Sequence, residues 1–395
     1  MGIKRGTGLQ IGFEETFNTD QTTPKTYSVP FNDISLTFSQ TLNTSATIAN
    51  GRDAQEPFMG NKDATGSATI PLDTRNFGLW LKAVIGEPTS TVITREVVGT
   101  ISDGSGAAGT QLVLADPSVI LGVGDAITGV TTPTAVTAVT NTALGQYVVA
   151  DSQLVTNDTM TITPAVPLYQ HVFQVGCGVP SMIVQKAFGE CVGNVMTGSE
   201  FERYNGVKAN NISFEVGGDG ELTASVDLVG CKITESDTSY DPAPIAYESL
   251  KLQNFKATLK VDGVVYPSSQ TVSVQFGNNL ETDLYFIGGE GARGALPEGT
   301  VTLSGSISCV YDDAQKTLQT AAKTQTPVSI EIIFATSQGQ YLSLLMPNAL
   351  IQLTGKPIEA NGQVSVQPEF TAYRGGAASS MIATLVNDLT GGAYA

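Results

Sequence analysis

The chain has 395 residues and a net charge of −17, with 20 Lys and Arg against 37 Asp and Glu. Phosphate contacts supply most nucleic-acid affinity, so this balance argues against a DNA or RNA binder. No apolar run reaches the length of a membrane span and no apolar leader follows the N-terminus, which sets the expectation of a soluble, cytoplasmically made protein.

Frequent Gly and Pro between Thr-, Ser- and Val-rich segments predict short strands joined by tight turns, an all-β fold. The first clear strand is ISLTFSQTLNT at 34–44, where Ile34, Leu36 and Phe38 share one face. A charged stretch, GRDAQEPFMGNKDATGS, follows, and then a second strand over Gly66–Ile70. Phe77, Trp80, Leu81, Val84 and Ile85 then fall at helical spacing, with Asp73 or Thr74 as cap and Gly86 as stop. Phe77, Trp80 and Leu81 are read as core packing of that helix. Residues 97–164 carry short alternating runs separated by turn residues and predict a small inserted β-module.

The elements then repeat. GELTASVDLVG at 220–230 is a strand, and Ser236–Pro244 is a linker rich in proline and small polar residues. VSVQFGNNLET at 272–282 matches the first strand, with Ser35, Phe38, Leu42 and Thr44 recurring as Ser273, Phe276, Leu280 and Thr282. A Gly- and charge-rich stretch, a strand at Gly305–Cys309 and a helix begun by Asp312 and Asp313 follow in the same order. That helix would present Ala314, Leu318, Ala321 and Ala322. GQVSVQPEFTA at 362–372 matches 220–230. Such a duplication predicts two tandem β-sandwich or split-barrel domains, each with one short helix: 1–96 with 165–240, and 245–395, the insert 97–164 standing apart.

Catalytic chemistry finds little to work with. The single histidine, His171, lies in the strand YQHVFQV and is placed on its polar face beside Gln170 or Gln174, without a nucleophile elbow. A literal G-x-G-x-x-G at Gly289–Gly294 is followed by a strand instead of a helix, so it reads as a hairpin loop. No metal-ligand spacing occurs, and no carboxylate pair stands out among the acids. Cys177, Cys191, Cys231 and Cys309 contain no C-x-x-C pair and are read as buried thiols. Neither an enzyme, a cofactor nor a metal is expected.

The order of strand, charged hairpin loop, strand, amphipathic helix and further strands resembles that of siphophage tail tube proteins. The segments LTFSQTLNT, GSATIPLDTRNFGLWLKAVIG, YQHVFQVGCGVPSMIVQKAF and NNISFEVGGDGELTASVDLVG carry the likeness, which points to the two-domain branch. It implies rings with pseudo-sixfold symmetry, closed by three chains and stacked head-to-tail into a conduit for DNA. The partners it implies are further copies of the chain, the tail terminator, the tail tip or baseplate, the tape-measure protein and unbound genomic DNA in transit. The location implied is the virion tail, assembled in the bacterial cytoplasm, with no membrane involved. The hairpin loops near 45–65 and 284–304 match the family's contact between rings, which makes Arg52, Asp53, Glu56, Phe58, Glu290 and Arg293 interface candidates. The alternative is a decoration or adhesin protein whose insert holds a host glycan.

Overall fold

The computed structural model describes residues 6–47, 55–93, 95–102, 110–114, 120–128, 134–141, 146–149, 158–163, 167–192, 195–336, 339–353, 355 and 364–394. The fold is all-β with two α-helices, as the alternation of the sequence predicts. The first half begins with β1 (Gly6–Phe13), β2 (Tyr27–Ser28), β3 (Asp33–Ile34), β4 (Thr37–Asn43) and β5 (Phe58–Pro71), followed by α1 (Phe77–Ile85) and β6 (Thr89–Val92). Six strands come next: β7 (Arg95–Ser102), β8 (Thr110–Leu114), β9 (Ala126–Thr128), β10 (Thr134–Asn141), β11 (Gln146–Val149) and β12 (Asp158–Thr163). The chain returns through β13 (Tyr169–Gln174), β14 (Met182–Val192), the long β15 (Val195–Val216), β16 (Thr223–Gly230) and β17 (Lys232–Ser236). The second half holds β18 (Ile245–Ala246), β19 (Ala257–Val261), β20 (Val264–Val265), β21 (Ser269–Gly277) and β22 (Thr302–Val310). It continues with α2 (Asp313–Thr324), β23 (Val328–Ala335), β24 (Tyr341–Ile351), β25 (Ser365–Val366), β26 (Glu369–Ala372) and β27 (Ile382–Asn387).

Strand pairing repeats between the halves. In the first, β14 pairs β15, β15 pairs β16 along its C-terminal part and β17 along its N-terminal part, β16 pairs β5, and β5 pairs β4. In the second, β23 pairs β24, β24 pairs β26 and β27 in the same two zones, β26 pairs β22, and β22 pairs β21. Registers agree with the sequence repeat. Leu228 stands opposite Gly66, and Phe370 opposite Gly305. Ser35 and Ser67 join their hydroxyls at 3.1 Å, as Ser273 and Ser306 do at 2.8 Å. Even the irregularity is shared, for the register shift between Met182 and Val184 recurs between Val328 and Ile330.

Both helices are capped where an aspartate precedes them. The Asp73 carboxylate accepts from the amides of Arg75, Asn76 and Phe77, while Asp312 accepts from that of Gln315 at 2.9 Å. Every residue of α1 is buried, Phe77, Trp80 and Leu81 included. By contrast, α2 keeps an exposed face around its buried Leu318.

Strands β7–β12 close on themselves as a barrel in the order β10-β11-β8-β7-β12-β9, around Leu112, Ile127, Val136, Tyr147 and Ile162. Its neck is the pair β6–β13, with Val92 opposite Tyr169, and β13 in turn pairs β27 of the second half. The cysteine expectation holds in part. Cys231 and Cys309 are buried, and burial pushes each thiol up to about 11, but Cys177 is exposed. The side chain of Cys191 lies outside the described residues.

Candidate functional site

The pairings string eight strands into one arc, β4-β5-β16-β15-β21-β22-β26-β24. Successive side chains of a strand point to opposite faces, so each strand shows one apolar and one polar row. The apolar rows, among them Ala68, Ile70, Val226, Ile212, Val274 and Ile307, are buried in the main core. The polar rows meet across a concave space of about 660 Å³, lined by residues from β5 at one side to β24 at the other. Its hydroxyls come from Thr69, Ser213, Thr223, Ser225, Ser273, Ser304, Ser306 and Thr371, with carboxylates from Glu215 and Glu369. No Lys or Arg lines it. A phosphodiester entering this space would meet hydroxyl and amide donors and two carboxylates but no cation from the lining residues to neutralise its charge.

Glu369 stands opposite Ser306 and Glu215 opposite Ser273 on this face, and no group of His, Cys, Asp and Glu able to hold a metal occurs among the described residues. His171 is fully buried and therefore not on a solvent-facing polar side, which corrects the sequence expectation. Its Nδ1 accepts from or donates to Ser90 Oγ at 2.8 Å, and its Nε2 lies 3.1 Å from Asn387 Oδ1. The Tyr394 ring meets the imidazole edge-on with centroids 4.7 Å apart. Burial holds the imidazole pKa below its ordinary value, against the opposing pull of Asn387 and the Leu389 carbonyl.

These groups belong to a polar seam joining the halves. Asn387 Nδ2 donates to the Thr74 carbonyl at 2.5 Å, Tyr394 Oη donates to the Arg75 carbonyl at 2.5 Å, and Arg75 grips Asp388 through two nitrogens at 2.8 and 2.7 Å. Farther along, Lys208 pairs with Glu298 at 2.6 Å, and Asn278 Nδ2 donates to the Val84 and Ala209 carbonyls, each at 2.9 Å. Burial disfavours the Glu298 carboxylate, yet Lys208 and the Val179 amide outweigh it and keep its pKa below the usual range.

The loop candidates separate into three groups. Arg52 and Asp53 lie outside the described residues. Glu56, Phe58 and Glu290 are exposed, and Phe58 stands beside exposed Met59 and Leu42 at the end of the β4–β5 hairpin. Arg293 differs. It is buried in its own chain, where it pairs with Asp63 of β5 and donates to the Thr282 and Gly230 carbonyls at 2.6 and 3.0 Å. The loop 278–301 therefore lies sideways along the first half, with the Gly291 carbonyl accepting from the Lys62 amide at 2.8 Å. The glycine motif within it opens no helix, in line with the reading as a loop. Sequence reading passed over the hydroxyl row itself, although the alternate Ser and Thr of 35–39, 65–69, 223–225 and 302–308 spell it out.

No curated protein matches the chain. A profile of the phage tail tube protein family matches residues 4–372, a span that takes in the first half, the barrel, the second half as far as β26 and the whole hydroxyl-lined arc, and the chain belongs to that family.

Proposed function

We propose that the chain is the non-enzymatic major tail tube subunit of a long-tailed phage. Three copies close a pseudo-sixfold ring, and rings stack into the DNA conduit of the virion, assembled in the host cytoplasm and ended by terminator and tip proteins. The observation that carries this is the joint between the halves. β15 of the first half pairs β21 of the second, with Asn211 opposite Gly277 and Ile212 opposite Phe276. The counterparts of those two edges are the outer edge of the chain continuing from β24 and the outer edge of β4; the Gln352 amide donates inward to the Glu369 carbonyl, and no strand pairs with either outer edge among the described residues.

Burial supports the same reading. Leu280 is 8% exposed and its counterpart Leu42 is 61%; Ile212 is 3% exposed and its counterpart Leu353 is 56%. The same apolar side chains are covered at the filled joint and bare at the open ones. A neighbouring copy covers them, and closure of the ring removes both strand edges at once. Copying the internal register sets Gln352 opposite Ser39 and Leu353 opposite Phe38 of the next chain. The concave hydroxyl face then becomes the channel wall past which genomic DNA and the tape-measure protein move. Glu56, Phe58 and Glu290 remain the contacts offered to the next ring, together with Arg52 and Asp53.

The test is a Ser39→Cys, Gln352→Cys double variant, oxidised after tube formation and run without reductant. Covalent closed trimers, with hollow tubes in electron micrographs, are expected. Tubes that yield only single-chain bands would sink the proposed closure, and a protein that stays monomeric at every concentration would sink the function.

A further inference from the structure

The repeat also exposes a second unfilled place, in the outer layer. Val184 and Ile330 each follow the shared register shift, and Ile11 and Val261 stand opposite them. Tyr27 pairs with Ile11 and Val264 with Val261, so Tyr27 and Val264 are counterparts. Asp73 and Asp312 cap the residue three positions on, so Gly78 and Thr317, five positions on, are counterparts too.

In the first half these two positions are covered. Tyr27 is 2% exposed, its hydroxyl donates to the Ala393 carbonyl at 3.1 Å, and β2 carries β18 alongside it as a parallel strand. The Tyr394 ring lies against Gly78 so closely that a Cβ there would collide with it. Ala393 and Tyr394 come from the end of the second half. In that second half, Val264 is 69% exposed, Thr317 is exposed, and β20 has no strand on its outer edge among the described residues. Between them runs an apolar groove of about 560 Å³, floored by Tyr266, Leu318, Ala321 and Val328.

We propose that this groove between α2 and the β19–β20 hairpin seats an extended segment of a second copy of the chain. That segment adds a strand to Val264–Val265 and lays a large side chain against Thr317. The occupant follows from the repeat: the first half's seat is filled by the half that stands next to it, and only another chain can stand next to the second half. The inference rests on the ring reading but concerns a different surface from the β4 and β24 edges. An unfilled groove of this kind would leave apolar surface bare in every ring, whereas a filled one ties the outer layer as the arc ties the inner one.

Two groups of variants test it, and both place changes on exposed side chains so that folding survives. Thr317→Trp fills the groove from within, and Val264→Glu sets a charge at its rim. Each is expected to raise the protein concentration needed for tubes by about tenfold or more, as loss of one interface anchor does, while Thr317→Ala assembles normally. In parallel, Val264→Cys in a Cys177→Ser background is alkylated with and without assembly. Assembly is expected to slow the reaction about tenfold, since strand addition covers the thiol. Both bulky variants assembling like wild type, or equal alkylation in tubes and free chains, overturns the seat and leaves the ring standing. Wild-type protein that never forms rings overturns both.

Discussion

At the scale of single residues, His171 shows how a strand's two faces mislead when only one neighbour is considered. Period two sets His171 with Tyr169 and Phe173, not with the glutamines that flank it, and that face is buried. The face mixes buried Phe173 with His171, whose hydrogen bonds at the joint between halves run to residues distant in sequence that no local pattern reveals. Asn387 is its centre. Asn387→Leu removes the donor to the Thr74 carbonyl and to Tyr394 Oη, 2.7 Å away, and is expected to cost about 2–4 kcal/mol in denaturant unfolding. A loss under half that size would mean water replaces the amide without penalty. The histidine adds a pH dependence with a definite sign. Its folded pKa lies below the ordinary 6.5 because of burial, so the unfolded chain takes up the proton first. Stability is therefore constant above the unfolded value and falls as pH drops below it towards the folded pKa. His171→Gln should flatten the melting temperature between pH 7 and pH 5 relative to wild type. An identical slope in both proteins would assign the acid sensitivity elsewhere.

At the scale of elements, alternation and helical spacing made most of the fold legible. The hairpin of β4 and β5, its copy in β21 and β22, both helices and the aspartates that cap them follow from local pattern. Packing of the long loops does not. Arg293 sits in a segment that reads as a solvated hairpin tip, and its fate depends on Asp63, distant in sequence and brought near only when one half lies beside the other. Nothing local encodes such a contact. Arg293→Ala removes three polar contacts and leaves Asp63 half-exposed, so the expected cost is modest, about 2 kcal/mol, less than for a fully buried pair. The clearer readout is hydrogen exchange. Amides of 284–294 should exchange markedly faster in the variant while those of β22 keep their protection. Unchanged exchange in the loop would show that the Lys62–Gly291 and Lys208–Glu298 contacts hold it without the arginine.

At the scale of the whole molecule, charge and architecture can be separated by experiment. The hydroxyl-lined face was legible strand by strand in the alternate Ser and Thr but not as one surface, because which residues share it depends on the order of strands across the arc. If its lack of cations lets DNA pass, Glu215→Lys with Glu369→Lys should still give tubes, yet tubes that retain double-stranded DNA at low salt and release it as salt rises. Tubes of the variant that bind no more DNA than wild type would deny the face that role. The barrel of β7–β12 poses the complementary question, whether the insert is needed for the body to exist. It has its own core, and its neck closes at Ile93 and Leu168, where the Ile93 amide donates to the Leu168 carbonyl at 2.9 Å. Two chain ends held one strand spacing apart can be bridged by a short turn. Replacing residues 94–167 by a Gly- and Asn-containing turn therefore should preserve the body, with a small loss because Ile120 leaves its cluster with Ile333 and Tyr341. The melting temperature is expected to fall by only a few degrees, about what the loss of one buried aliphatic side chain costs a large domain. Tubes of the deleted protein should be thinner in projection and otherwise unchanged, because neither the arc nor its open edges include the barrel. A deletion that folds but no longer forms tubes would make the barrel part of the ring contact, and the division of the chain into two tube units and an outlying module would fail.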